Sequence, residues 1–110
     1  MKIAPEFKLK NMEDKPIKRV ADDEEYDLTI RHVIRESLLI DLDPKEEGEK
    51  KADRFDIAMK FFGDSIDPIE VDRTQMKTIR DRIGEVQSTL IVGRSWAYLD
   101  SLSAKDKDTK

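Results

Sequence analysis

The sequence predicts an α+β fold, an N-terminal β-hairpin packed with three or four α-helices in a single domain. Three observations carry that prediction. Phe7 and Leu9 alternate with Glu6, Lys8 and Lys10, the period-two pattern of a half-buried strand. From Leu28 the period becomes 3.6, with Ile30, Val33, Ile34, Ser37 and Leu38 on one helix face. A chain of 110 residues, 42% of them charged, has apolar material for one small core.

The hairpin is expected to join a strand around Phe7–Leu9 to a second one at Ile17–Val20. Between them, Asn11-Met12-Glu13-Asp14-Lys15-Pro16 is turn chemistry, since Asn and Asp accept local backbone hydrogen bonds and Pro presets its own φ. Asp22-Asp23-Glu24-Glu25 reads as a solvated acidic loop, because like charges so closely spaced repel. A first helix over about 30–40 is capped by Thr29, with Leu28 and Val33 at staple spacing.

Asp43-Pro44-Lys45-Glu46 has the composition of a second helix start, with regular helix beginning near Glu49 because Gly48 weakens the first turn. Along that helix Ala52, Phe55, Ala58, Met59 and Phe62 form the expected core stripe, and Gly63 ends it. Ile69-Glu70-Val71 is a short extended piece, expected as a third strand against the hairpin. Asp72 and Gln75 form a capping-box pattern for a third helix with Met76, Ile79, Ile83 and Val86 inward and Gly84 as a stop or tight bend.

A fourth helix starts at Ser88 or Thr89 and carries Ile91, Val92, Ser95, Trp96 and Leu99, with Gly93 admitting a close backbone neighbour. The domain spans 1–102. The tail over 103–110 lacks periodicity and is expected to be disordered.

Several function classes fall away. No window approaches the ~18 apolar residues of a membrane span, and the first residues lack the apolar segment of a signal peptide. Zero Cys removes disulfides, thiolate metal sites and cysteine nucleophiles, and a single His does not build a His-rich metal site. His32 has Glu36 four residues on, which is ordinary helix-surface spacing and not a catalytic pair. Asp41-Leu42-Asp43 opens like a calcium loop, but Lys45 occupies a ligand position and no Gly follows at the sixth. No phosphate-binding or dinucleotide motif occurs among the isolated glycines. The sequence thus implies no catalytic residues, metal or cofactor.

The hairpin layout, the Leu28-Thr29-Ile30-Arg31 helix opening and the closing Ile91-Val92-Gly93-Arg94-Ser95-Trp96-Ala97-Tyr98-Leu99-Asp100 helix together resemble small proteins encoded by tailed phages and prophages. The matching pieces are Leu28 to Leu39, Lys51 to Phe62, and Val71 to Asp100. The resemblance implies a phage origin and the cytoplasm of a bacterial host, and brings no catalytic residue with it.

The functional expectation is a non-enzymatic protein–protein interaction module: an adaptor, an assembly factor or an inhibitor of a host protein. Its partner is a phage or host protein or a second copy of the chain. Trp96 and Tyr98 point about 200° apart on a helix wheel. Trp96 is therefore assigned to the core, and Tyr98 with Ile91 and Arg94 to an exposed partner-binding patch. The alternative is a small nucleic-acid-binding or regulatory protein. Its basic stripe would be Arg73, Lys77 and Arg80, at i, i+4 and i+7 on the third helix. A net charge of −4 weighs against that alternative.

Overall fold

Two small antiparallel sheets stand beside the helices that the 3.6 periods yield, so the fold is α+β. The computed structural model describes residues 1–108. In chain order its elements are β1 (Lys2–Ile3), β2 (Lys18–Ala21), β3 (Glu24–Asp27), α1 (Ile30–Leu39), α2 (Gly48–Lys60), β4 (Ile69–Glu70), α3 (Arg73–Val86) and α4 (Thr89–Asp108).

The regular hairpin is β2–β3, displaced along the chain from the expected one. Its two-residue turn is Asp22-Asp23, with φ of 51° and 64°. Those left-handed values suit a hairpin turn of the primed type, and Asp tolerates them because its short side chain bonds locally. The acidic run is therefore a turn followed by a strand, not a solvated loop. Lys18 and Lys8 pair with Asp27 at the far end of β3 and hold its carboxyl below the usual range. The anticipated strand at Phe7–Leu9 is present only as bridges. Leu9 donates to Leu28 O at 3.0 Å and accepts from Ile17 N–H at 2.9 Å. Asn11 Oδ1 holds the intervening turn by accepting from the N–H groups of Glu13 and Lys15. β4 pairs with β1, not with the hairpin, in the register Lys2↔Glu70 and Ile3↔Ile69.

α1 and α3 start where the sequence places them. Asp72 Oδ1 accepts from Gln75 N–H at 2.7 Å while Gln75 Oε1 accepts from Asp72 N–H at 3.0 Å, a complete capping box. Asp43 closes a separate turn before α2 by accepting from Lys45 N–H at 2.9 Å. Gly84 does not stop α3. The helix passes through it, and a Cβ there would come within 2.6 Å of Trp96, so glycine is what lets α4 lie close. Gly93 has the opposite setting, with no neighbouring atom near its would-be Cβ. α4 continues through Ser103 to Asp108, where disorder is expected from sequence, and Ser103 Oγ lies 3.3 Å from Met1 Sδ. Thr109 and Lys110 lie outside the described residues.

The core joins Ile3, Leu9, Leu28, Val33, Ile34, Leu38, Ile57, Phe61, Val71, Ile79, Ile83 and Leu99. Three arginines are buried among them: Arg31, Arg54 and Arg82. Arg54 Nε donates to Leu38 O at 3.2 Å, and Arg82 donates to Ser37 O at 3.0 Å and to Ile40 O. Both guanidinium groups thus cap the carboxyl end of α1, whose last turn contains no basic residue of its own. Arg31 ties the other end of α1 to the loop after α2 through Gly63 O at 2.8 Å and Ser65 O.

Removing Arg82 leaves the buried Ser37 carbonyl without its donor, at a cost of ~1–3 kcal/mol, and takes a half-buried donor from Ile40 O. Arg82→Met is accordingly expected to lower unfolding free energy by ~1–3 kcal/mol in urea titrations followed by circular dichroism. Arg82→Lys should recover less than half of that loss, since one ammonium does not span both acceptors.

Candidate interaction surface

The residues assigned from sequence to a partner-binding patch are consumed inside the molecule. Ile91 is buried with Ser95 and Leu99 on the inward face of α4. Tyr98 stacks on Phe7 with ring centroids 3.9 Å apart and planes 9° from parallel, and its hydroxyl accepts from Ala4 N–H at 2.9 Å. Arg94 donates to Asn11 O at 2.7 Å. Arg94 and Tyr98 therefore clasp the N-terminal arm while Ile91 joins the core, and the three form no open patch. The expected exposure is absent at Ile91 and reduced at Arg94 and Tyr98, where an arm dozens of residues earlier in the chain lies against that side of α4, which a helix wheel does not reveal. Trp96 is not the core centre either. It is half-buried, donates its indole N–H to Arg80 O at 2.9 Å, and carries the Arg80 guanidinium 3.7 Å above its ring.

The basic stripe is real in placement: Arg73, Lys77 and Arg80 line one surface depression of about 340 Å³ together with Met1, Met76 and Asp81. Its charge is largely compensated. Lys77 lies 2.6 Å from Asp81, and Arg80 forms a two-pronged contact with Asp100 at 2.9 and 3.4 Å. Arg73 has no carboxylate within ion-pair distance among the described residues.

His32 sits at the third position of α1 and completes its cap. The Thr29 hydroxyl is 2.8 Å from Nδ1, and Thr29 N–H donates to the same nitrogen at 3.4 Å. Nδ1 accepts the Thr29 N–H in this arrangement, which favours the neutral ring. Partial burial pushes its pKa below the ordinary value, and the nearby Arg35 guanidinium adds to the shift. Among the described residues, no group of three His, Asp or Glu side chains is placed to hold a metal ion.

The surface that stands out is one the sequence reading placed in the core. On α2 the inward residues are Arg54, Ile57 and Ala58, followed by Phe61. Ala52, Phe55, Met59 and Phe62 face outward, with Phe55 53%, Met59 50% and Phe62 67% exposed. α1 and α2 run in opposite directions. Arg31 reaches Gly63, Arg35 lies 5.9 Å from the Phe62 ring centroid, and Arg54 reaches Leu38. Leu39, one turn beyond Arg35, is therefore on the same side as the α2 stripe, and Ile40 and Leu42, just past the end of α1, are exposed as well. The sequence places Phe55, Met59 and Phe62 in the core stripe, but the neighbours cover the adjacent stripe, which carries Arg54. No helix among the described residues is long and apolar enough to cross a membrane.

No family model matches the chain, and comparison with curated proteins and with solved structures finds no match.

Two expectations follow from this geometry. Tyr98→Phe should cost ~0.5–1.5 kcal/mol by removing the acceptor for Ala4 N–H. Tyr98→Ala should cost a further ~0.5–1.5 kcal/mol as the stack on Phe7 disappears, both read from urea melts. For His32 the folded pKa lies below the unfolded one, so the unfolded chain takes up the proton first as pH falls. Its contribution to stability is complete above the unfolded value of about 6.5 and declines progressively below it, down through the folded pKa. Urea melts at pH 7.5 and pH 5 should show that decline, and His32→Gln should flatten it.

Proposed function

We propose that the protein is a non-enzymatic protein–protein interaction module, a phage-type adaptor, assembly factor or inhibitor, that docks through the apolar face of α1 and α2. The observation that supports this reading most directly is the outward stripe of Phe55, Met59 and Phe62, each half exposed or more. A chain with so few large apolar residues has little reason to leave Phe55 and Phe62 in water about two turns apart on one helix face unless another surface covers them. Aromatic and Met side chains are also the types enriched at the centre of protein interfaces.

The nucleic-acid reading has weaker support, because carboxylates already answer Lys77 and Arg80. Phosphate contacts would give binding a steep salt dependence, whereas an apolar interface is nearly indifferent to salt. The test is capture by the tagged full chain, either from bacterial lysate or of an untagged copy. Phe62→Asp is expected to reduce capture at least tenfold while leaving the thermal midpoint unchanged. Capture that survives Phe62→Asp, or that vanishes with moderate salt, would sink the proposal.

A further inference from the structure

We infer that the occupant of the α1–α2 face is a second copy of the chain, lying with its α2 antiparallel across the first about a two-fold axis near Met59. The inference rests on the reading of this face as a docking surface and adds the identity of what docks. It draws on three observations.

The first is the pattern of the stripe. A two-fold interface is self-complementary: if residue i meets residue j, then j meets i. Phe55, Met59 and Phe62 are separated by four and then three residues, so the order Phe–Met–Phe is the same in both directions and the two Phe lie at nearly equal distances from Met59, differing by one residue's rise of about 1.5 Å. An antiparallel copy centred beside Met59 sets Phe55 of each chain against Phe62 of the other and brings the two Met59 side chains together. The three positions lie within about 60° on the helix wheel, narrow enough to form one seam.

The second is area. The exposed fractions are 53% for Phe55, 50% for Met59, 67% for Phe62, 51% for Leu39, 42% for Ile40 and 48% for Leu42. With large side chains offering ~150–250 Å² each, these sum to roughly 600 Å² of apolar surface per copy. Two copies would bury about 1,200 Å², the lower bound for a specific stable interface, before any polar rim is counted. The result is two helical hairpins face to face, the arrangement of a four-helix bundle.

The third is charge at the edge of the seam. Arg35 lies beside Phe62 and has no carboxylate within ion-pair distance among the described residues. Asp41, just past the carboxyl end of α1, has a side chain 66% exposed and reaches Arg54 only at 3.9 Å. The two-fold operation inverts α1 along with α2, so it carries Asp41 of one copy toward Arg35 of the other. Each edge then holds one cation and one anion.

The experiment uses the full chain and its lack of native cysteine. Sedimentation equilibrium over a hundredfold concentration range should show a monomer–dimer equilibrium for wild type. Met59→Glu should weaken the dimer at least tenfold with an unchanged thermal melt. In parallel, Met59→Cys should oxidise to a covalent dimer, because the axis brings the two Cβ atoms to disulfide distance. Ala97→Cys, on the outward face of α4, should cross-link at least tenfold less under the same conditions. Equal cross-linking of the two cysteine variants, or a dimer indifferent to Met59→Glu, overturns the inference. A wild type that stays monomeric throughout also overturns it. In that case, partner capture abolished by Phe62→Asp would show that the docking face stands and that a different protein occupies it.

Discussion

The carboxyl end of α1 is the constraint on which the rest of the molecule depends. A helix leaves its last carbonyls without intrahelical donors; the hydrogen bonds to those of Ser37 and Leu38 are buried between α1, α2 and α3, and that to Ile40 O is half-buried. No glycine follows α1 to turn the chain back on those carbonyls, and no basic residue occupies its last turn. Arg54 from α2 and Arg82 from α3 supply the donors instead, and each side chain is nearly fully buried in doing so. A buried guanidinium has few tolerable positions, because every unmet donor or acceptor is penalised by ~1–3 kcal/mol. The two arginines therefore fix the rotation of α2 and α3 about their own axes as well as their distance from α1.

That rotation explains the exposed face. Arg54 precedes Phe55 by one residue, a 100° step around the helix. With Arg54 turned in toward Leu38 O, the stripe it shares with Ile57, Ala58 and Phe61 becomes the core side. The neighbouring stripe of Phe55, Met59 and Phe62 is then carried outward. The exposed apolar surface is thus a direct consequence of how α1 is capped, and the same interaction that stabilises the bundle presents the face assigned here to docking.

α4 serves a different purpose. Its Trp96 closes on α3 over Gly84, with Arg80 sandwiched between the indole and Asp100. Its Tyr98 and Arg94 hold the N-terminal arm at Phe7, Ala4 and Asn11. Most ion pairs of this highly charged chain are solvent-exposed and individually contribute little. Where they matter is in compensation: Asp81 and Asp100 answer most of the basic stripe on α3, which leaves the apolar face of α1 and α2 as the less satisfied surface.

The sequence by itself determined the features that depend on a few consecutive residues. The α+β class, the starts of α1 and α3, the Asp72–Gln75 cap and the inward residues Met76, Ile79 and Ile83 all follow from short-range spacing. The Asp22-Asp23 turn was within reach of the same reasoning, since Asp is one of the few residues that accepts a left-handed conformation. The partners of each surface were not legible. Which strand pairs with β4, whether Gly84 ends a helix or admits a tryptophan, and whether Tyr98 is free or covered are settled by segments far away in the chain. The candidate face shows this most sharply. Periodicity states which residues of α2 share a side, but it leaves the rotation of the helix open, and of the two neighbouring stripes the more apolar one, without an arginine, is turned outward. Only the tertiary structure decided between them, because the carbonyl that Arg54 must reach belongs to another helix.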